Sequence, residues 1–419
     1  MNLETIGDKY VVIDSKFELH YYKEHIQAHI GAHNIIVFNE LQEFILLQAN
    51  EGKSVKEIFQ MLTEKYEFDV KNKVAQRLFC KVLRDMMDIK IISLQQKVAE
   101  NRVRITGERG QTYPFWISCE ITNKCCFKCP HCYKEAGADG EYLDIKTFYN
   151  IIEYFKGKTA HMVITGGEAL IHPMVREMLV LASKNFKVHL LTNGYYLENM
   201  PKDILEKLES VQISLYGFDD FSYEKFTGAI EAATRIESAY KHLRELNIQD
   251  VKTTLIVTPQ NVDDLDKYFQ FALRLGVKYI DMGVSIPVGR ALSTKETLYK
   301  NDQEKILIKT KEVVDRYRGR VNTNDIFKHL KVKAYGDNKF HCQAGKTSIV
   351  ISEKGKVRPC LTIPFEESLQ MDVEHYVKEF VCKAKEPDYK QALKEYNRNM
   401  QINGGCLGDM KCAGFCKIS

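Results

Sequence analysis

From Tyr113 onward, short apolar runs alternate with segments whose apolar residues recur every three or four positions. The short runs predict buried strands, and the three-to-four spacing predicts amphipathic helices. Residues 115–121, 161–165, 188–192, 211–215, 253–257 and 279–286 read as six strands. Residues 143–155, 175–183, 202–208, 230–246, 262–275 and 303–317 read as the helices between and after them. Strand–helix units in succession predict a parallel sheet with helical crossovers. Eight such units close a barrel, so six predict a partial (β/α)6 barrel with an open side.

Residues 1–100 follow another pattern. Residues 10–13 and 17–22 read as a strand hairpin, and 34–38 as a further short strand. Three helical patterns come next, the first over about 40–48. Ser54 caps the second, and Glu57 three residues on completes a capping box. Val55, Ile58, Phe59 and Leu62 mark its apolar face. The third carries Val74, Leu78, Val82, Leu83 and Met86, and 91–94 return as a strand. Strands, three helices and a wing strand predict a winged-helix-like domain. Its third helix mixes Lys, Arg and Asp without a continuous basic face, which argues against DNA. The same arrangement can take a peptide as an added strand. Residues 101–112 read as a linker, 113–325 as the partial barrel and 326–419 as a separate C-terminal domain.

Composition changes this picture only at the cysteines. The chain has 419 residues, 44% hydrophobic and 28% charged, with a net charge of +4. That is ordinary for a globular protein and does not argue for nucleic acid. Met1–Asp8 lacks the basic-then-apolar order of a secretory signal, and no apolar run approaches the ~20 residues of a membrane span. The expected compartment is the cytoplasm, where thiols stay reduced, so 12 cysteines predict metal rather than disulfides.

Three of them, Cys125, Cys129 and Cys132, stand as C-x3-C-x2-C just after the first barrel strand. Three thiolates on one loop suit an iron–sulfur cluster and leave one iron of a four-iron cluster open. Cys129 and Cys132 could instead be half of a zinc site, the lesser reading. The other strands end in polar turns: Gly166-Gly167-Glu168, Thr192-Asn193-Gly194, Ser214-Leu215-Tyr216-Gly217 and Pro287-Val288-Gly289-Arg290. Each alone reads as a turn, but together they mark a pocket at the C-terminal strand ends. The tail adds Cys342, Cys360 in a G-x4-C step from Gly355, and Cys406, Cys412 and Cys416 as C-x5-C-x3-C. Zinc is open there too.

The three-cysteine loop, Gly166-Gly167-Glu168 and Ser214 resemble the radical S-adenosylmethionine enzyme superfamily over roughly 113–320. The resemblance implies a [4Fe-4S] cluster on Cys125, Cys129 and Cys132. S-adenosylmethionine would chelate the open iron and be cleaved reductively to a 5′-deoxyadenosyl radical. Gly166, Gly167 and Glu168 would receive its amino group and Ser214 its ribose. Tyr133 would lie near the adenine, and Thr192 would be a further cofactor contact. The tail resembles the SPASM/Twitch extension, which houses auxiliary clusters. Asn403 stands where the full pattern has a cysteine. The resemblance therefore implies one auxiliary cluster, [4Fe-4S] or [2Fe-2S], on Cys342, Cys360, Cys416 and one of Cys412 or Cys406. Residues 1–100 resemble the RiPP recognition element, which binds the leader of a precursor peptide. The expected activity is maturation of a ribosomally made peptide by a thioether (sactionine-type) crosslink, with a flavodoxin- or ferredoxin-like electron donor. No nucleic acid or membrane partner is expected. Carbon–carbon crosslinking, epimerisation and sulfatase-type maturation are the rival reactions. A zinc-stabilised winged-helix DNA-binding protein is the alternative outside enzymes.

Overall fold

The computed structural model describes residues 2–31, 34–100, 102–285, 288–294, 303–324, 344–361 and 371–385. The chain divides into two compact units at Tyr113 and Pro114, with 382–384 grouped with the first. No helix among the described residues is long and apolar enough to cross a membrane.

The first unit runs α1 (Leu3–Ile6), β1 (Tyr10–Ile13), β2 (Glu18–Tyr22), β3 (His25–Ile30), β4 (Asn34–Val37), α2 (Glu40–Asn50), α3 (Val55–Lys65), α4 (Lys73–Asp88), β5 (Ile92–Gln95) and β6 (Ile105–Thr106). Capping boxes start two of the helices: Asn39 with Gln42 at α2, and Ser54 with Glu57 at α3. Leu19, Ile26, Ile45, Leu46, Ile58, Leu83 and Met86 are fully buried in its core. β1 pairs antiparallel with β5, and the other four strands form a sheet in the order β4-β3-β2-β6. Two features differ from the pattern reading. β3 is an additional strand, with Ile26 and Ala28 buried on one face and His29 buried on the other, and the polar His25, Gln27 and His29 interrupt the apolar signal. The segment 101–112, expected as a linker, contains β6, which pairs with β2.

His20 locks this sheet. It is fully buried; Nε2 donates to Tyr113 O at 2.8 Å and Nδ1 meets Thr106 Oγ1 at 2.9 Å. Burial pulls its pKa down to about 4, against the pull of the Tyr113 carbonyl.

The second unit is α/β. Its strands are β7 (Trp116–Glu120), β8 (His161–Thr165), β9 (Lys187–Thr192), β10 (Ser210–Leu215), β11 (Val251–Val257), β12 (Tyr279–Val284), β13 (Asn322–Thr323), β14 (Ser348–Ile351) and β15 (Val357–Arg358). Its helices are α5 (Ile145–Phe155), α6 (Val175–Ser183), α7 (Lys202–Leu205), α8 (Asp220–Thr227), α9 (Ala232–Glu245), α10 (Leu265–Arg274), α11 (Gln303–Tyr317) and α12 (Val373–Tyr376). Among the described residues these strands lie in the order β13-β12-β11-β10-β9-β8-β7-β14-β15, all neighbours parallel except the antiparallel β14–β15 pair. One face of the six central strands is apolar and buried, with Ile117, Met162, Ile164, Val188, Leu190, Ile213 and Leu255 at 0% exposure. The other face carries Ser118, Val163, Gln212, Ser214 and Thr254, all half-buried. This alternation gives the sheet one helix-covered face and one accessible face.

β14 is unexpected in a segment read as a separate domain. It pairs parallel with β7, with Ile351 opposite Cys119. The free edge of β7 offers unpaired backbone groups, and the short strand Ser348–Ile351, apolar in its last three residues, satisfies them. Four residues give too short a pattern to announce which edge they join. α8, likewise, lies in a stretch read as a connection.

Candidate active site

The loops after β7, β8, β9, β10 and β12 meet at the C-terminal ends of the strands. The start of the first loop lies directly on the turn after β8. Gly167 N–H donates to Thr122 O at 2.7 Å, and Glu168 N–H to Lys124 O at 2.8 Å. This approach requires the glycine pair. A Cβ on Gly166 would stand 2.3 Å from Thr122 O, and one on Gly167 2.1 Å from Lys124 O. The first task of these glycines is therefore to seat the cysteine loop.

The loop then folds on itself. Cys125 N–H donates to Gly137 O at 2.7 Å and Cys132 N–H to Cys129 O at 3.2 Å. Two sulfurs accept backbone donors: Phe127 N–H at 3.3 Å from Cys125 Sγ, and Ala136 N–H at 3.4 Å from Cys132 Sγ. Arg290, beyond β12, braces the loop from outside, with Nη1 at 2.7 Å from Cys129 O and Nη2 at 2.6 Å from Ala136 O. Gly289, at φ +60, brings Arg290 in; a Cβ there would lie 2.3 Å from Tyr133 O.

Their surroundings raise the pKa of all three thiols. Burial pushes Cys129 far up, and Cys125 and Cys132 add to it. Cys125 is raised first by its hydrogen bond with Cys126 and then by burial, and Cys132 by burial. Thiolates in such a place need positive charge, which metal supplies. Among the described residues no three His, Cys, Asp or Glu side chains close around a single ion. A four-iron cluster takes its thiolates on different irons, and the N–H groups already aimed at two sulfurs suit it. The loop fits that group.

Glu168 is fully buried beside the loop. Oε1 accepts Thr192 Oγ1 at 2.7 Å and Leu170 N–H at 2.9 Å, while Oε2 accepts Asn193 N–H at 2.7 Å. Burial raises its pKa and these three donors oppose the rise. A carboxylate has about four acceptor directions, so one on Oε2 stays open. The Asn193 side-chain amide points at the cysteines, 3.3 Å from Cys126 Sγ. Asn193 looked in the sequence like a turn residue; its bridging role has no sequence signal.

Ser214 is the last residue but one of β10, and its side chain hydrogen-bonds the Tyr216 phenol, whose pKa burial pushes far up. Rings near the cysteines include His131, Tyr216, Phe226 and Phe127. His131 lies 5.5 Å from Tyr216 and stacks at 5.2 Å on Phe226, and Phe127 stands edge-on to Tyr216 at 5.9 Å. Burial, then Arg290, pulls His131 down to about 4. Its Nδ1 is buried without a hydrogen-bond partner. Tyr133 is placed differently: its hydroxyl donates to Glu120 Oε1 at 3.0 Å. Glu120 was not singled out by pattern. Of the tail cysteines, Cys360 is described and half-buried, two residues after Arg358. Cys342, Cys406, Cys412 and Cys416 lie outside the described residues.

Residues 119–272, which span the cysteine loop, Glu168 and Ser214, match the family model described as Radical SAM superfamily. The chain carries a radical SAM domain. The chain is 27% identical over 302 residues to the antilisterial bacteriocin subtilosin biosynthesis protein AlbA of Bacillus subtilis, covering 69% of this chain and 64% of AlbA. It is 25% identical over 263 residues to the sporulation killing factor maturation protein SkfB of the same organism, covering 62% of this chain and 63% of SkfB. It is also 25% identical over 310 residues to a probable GTP 3′,8-cyclase of Sulfurisphaera tokodaii, covering 66% of this chain and 94% of that protein. The chain thus spans less than two thirds of the length of AlbA and SkfB. In fold, it matches the crystal structure of Streptococcus suis SuiB with a TM-score of 0.64 at 14% identity, over 94% of this chain and 95% of SuiB. The matched residues run from the end of β7 into α10 and include the cysteine loop.

Proposed function

We propose that the chain is a radical S-adenosylmethionine enzyme that matures a ribosomally made precursor peptide, with a thioether crosslink as its product. The observation that carries this reading is the meeting of three thiols on one loop, Cys129 buried and Cys125 and Cys132 half-buried, with a buried carboxylate that keeps one acceptor direction open. Cys125, Cys129 and Cys132 would hold three irons of a [4Fe-4S] cluster. With S-adenosylmethionine bound at the fourth iron, this group supplies hydrogen-atom abstraction from an unactivated C–H bond. Glu168 would offer its open acceptor to the cofactor's ammonium, while Thr192 and Asn193 hold the carboxylate in place. The turn Gly166-Gly167 keeps the loop against β8, and Ser214 would face the ribose. His131 and Tyr216, rather than Tyr133, offer rings for the adenine. The accessible face of the sheet, lined by Ser118, Gln212 and Thr254, would receive the core peptide. Electrons would come from a flavodoxin- or ferredoxin-like carrier, in the cytoplasm. Together the six strand–helix units make a partial barrel on this reading.

The peptide reading draws support from the names of AlbA and SkfB, and from a SuiB crystal structure bound to its precursor peptide SuiA, which has this fold with a TM-score of 0.62. The first unit, as a winged-helix-like domain, would bind the leader. Its sheet ends at β4, an edge strand whose Val37 is 62% exposed, which suits strand addition. Cys360, with Cys342, Cys416 and one of Cys412 or Cys406, would hold one auxiliary cluster.

Anaerobic purification with iron and sulfide analysis, followed by mass spectrometry of a candidate peptide, tests this. The expected result is about six to eight irons per chain and loss of two hydrogens from the peptide. A chain without iron sinks the enzyme reading; about four irons sink the auxiliary cluster alone.

A further inference from the structure

Four charged side chains are buried together beside the cysteine loop. Glu120, at the end of β7, is fully buried and Lys134 is 7% exposed, with Lys134 Nζ 2.7 Å from Glu120 Oε2. Lys134 also reaches Glu353 Oε2 at 2.8 Å, where Glu353 is 11% exposed. Arg358 Nη2, 8% exposed, lies 2.6 Å from Glu120 Oε1. Tyr133 donates its hydroxyl to the same oxygen at 3.0 Å. Two carboxylates and two cations balance, so the group carries no net charge.

Such a group is a poor way to gain stability. Apolar side chains of similar volume usually hold a contact as well or better, because they need no desolvation of charge. What an ion network adds is one permitted arrangement. Here its members come from two places far apart in the chain. Lys134 is two residues after Cys132, and Arg358 is two residues before Cys360. Between them, β14 pairs with β7 in a register that ends at Ile351 opposite Cys119. The chain then turns through Ser352–Lys356, closed by Ser352 N–H to Lys356 O at 2.9 Å. This turn stands at the end of β7 where the cysteine loop begins; Glu353 on it meets Lys134, and Arg358 in β15 just after it meets Glu120.

We propose that Glu120, Lys134, Glu353 and Arg358 are positioning residues that fix the Cys360 segment against the Cys132 segment. They set the placement of the tail thiol relative to the three-cysteine loop. The inference rests on the functional reading of the loop and tail as cluster sites. None of the four residues touches a reacting group, and no change in their protonation is involved.

The test uses the full chain, reconstituted anaerobically with iron and sulfide and reduced. The variants are Arg358→Met, Arg358→Lys, and a fourfold variant with Glu120→Met, Lys134→Met, Glu353→Met and Arg358→Met. Three quantities are read: the thermal midpoint, the change in the electron paramagnetic resonance line shape on adding S-adenosylmethionine, and the microwave-power saturation of that signal. The fourfold variant should keep or raise its thermal midpoint. It should lose the cofactor-induced change in line shape, and its signal should saturate at least twofold more easily as the second centre moves away. Arg358→Lys should restore more than half of what Arg358→Met loses. A fourfold variant that keeps either signal in its original form overturns the proposal. If that variant does not fold, Arg358→Met and Arg358→Lys decide by the same two signals. A Cys360→Ala chain with its full iron removes Cys360 from the auxiliary site, and the line-shape change then decides the positioning claim by itself.

Discussion

Glu168 accepts the backbone N–H of Asn193 at 2.7 Å, and this bond ties the turn after β8 to the end of β9. Asn193 in turn directs its side-chain amide to the cysteine loop. Carboxylate, strand end and loop therefore move as one. Glu168→Ala leaves Thr192 Oγ1, Leu170 N–H and Asn193 N–H without their acceptor in a buried place. Each such group costs about 1–3 kcal/mol. We expect Glu168→Ala to lower production of 5′-deoxyadenosine at least a hundredfold, measured by chromatography. Glu168→Gln keeps an acceptor oxygen and should fall less. Equal losses in the two variants, with both folded by circular dichroism, would show that the network does not matter.

Gly167→Ala tests the seating of the loop. The new Cβ would lie 2.1 Å from the Lys124 carbonyl, a backbone atom that cannot step aside alone. Either the turn or the start of the cysteine loop must shift. The expected outcome is a folded chain whose loop takes up less than half of its normal iron. Normal iron and a normal visible spectrum would mean that the close approach is not needed for cluster assembly.

Changing Cys125, Cys129 and Cys132 to Ala separates the two units by function. Cofactor cleavage should vanish, and affinity for a leader peptide should stay within about twofold, since no cysteine of the loop belongs to the first unit. Cleavage that survives in the triple variant removes the cluster assignment.

Much of this was legible in the chain because it is local. The six central strands follow apolar runs, and the cysteine spacing falls on one loop. The capping box at Ser54 and Glu57 was readable from two residues. What was not legible depends on partners distant in sequence. Arg358 and Glu120 are 238 positions apart, and neither has a pattern that names the other. β14 holds only three consecutive apolar residues, Ile349–Ile351, an ordinary pattern until the free edge of β7 selects it. Tyr133 and His131 differ by two positions and are both rings; only the fold turns one to Glu120 and the other to Tyr216.

His20 gives the first unit a pH dependence of known sign. Its folded pKa, about 4, lies below the ordinary 6.5. The unfolded chain therefore takes up the proton first as pH falls. The stability this side chain contributes is complete above 6.5 and is lost as the pH drops toward 4. The full loss is about 3 kcal/mol, with roughly 2 kcal/mol gone by pH 5. Hydrogen exchange of the β2 and β3 amides, corrected for the intrinsic rate, should show this between pH 7 and 5. His20→Gln should be less stable at pH 7 and flatter over the same range. An equally steep dependence in that variant assigns the effect to another group.

Leader binding is expected at the edge formed by β4. Val37 is exposed there, so replacing it disturbs no core, and a surface change of this kind usually moves stability by less than about 0.5 kcal/mol. An added strand would cover that side chain and require it to lose water. Val37→Asp places a charge where the peptide would lie, and the expected loss of affinity is about tenfold, equivalent to ~1.4 kcal/mol. Fluorescence anisotropy of a labelled leader with the full chain measures it. Turnover of a core peptide lacking its leader should be unchanged in the same variant, since Val37 and the cysteine loop belong to different units. If leader affinity is unaltered by Val37→Asp, the leader does not add at β4.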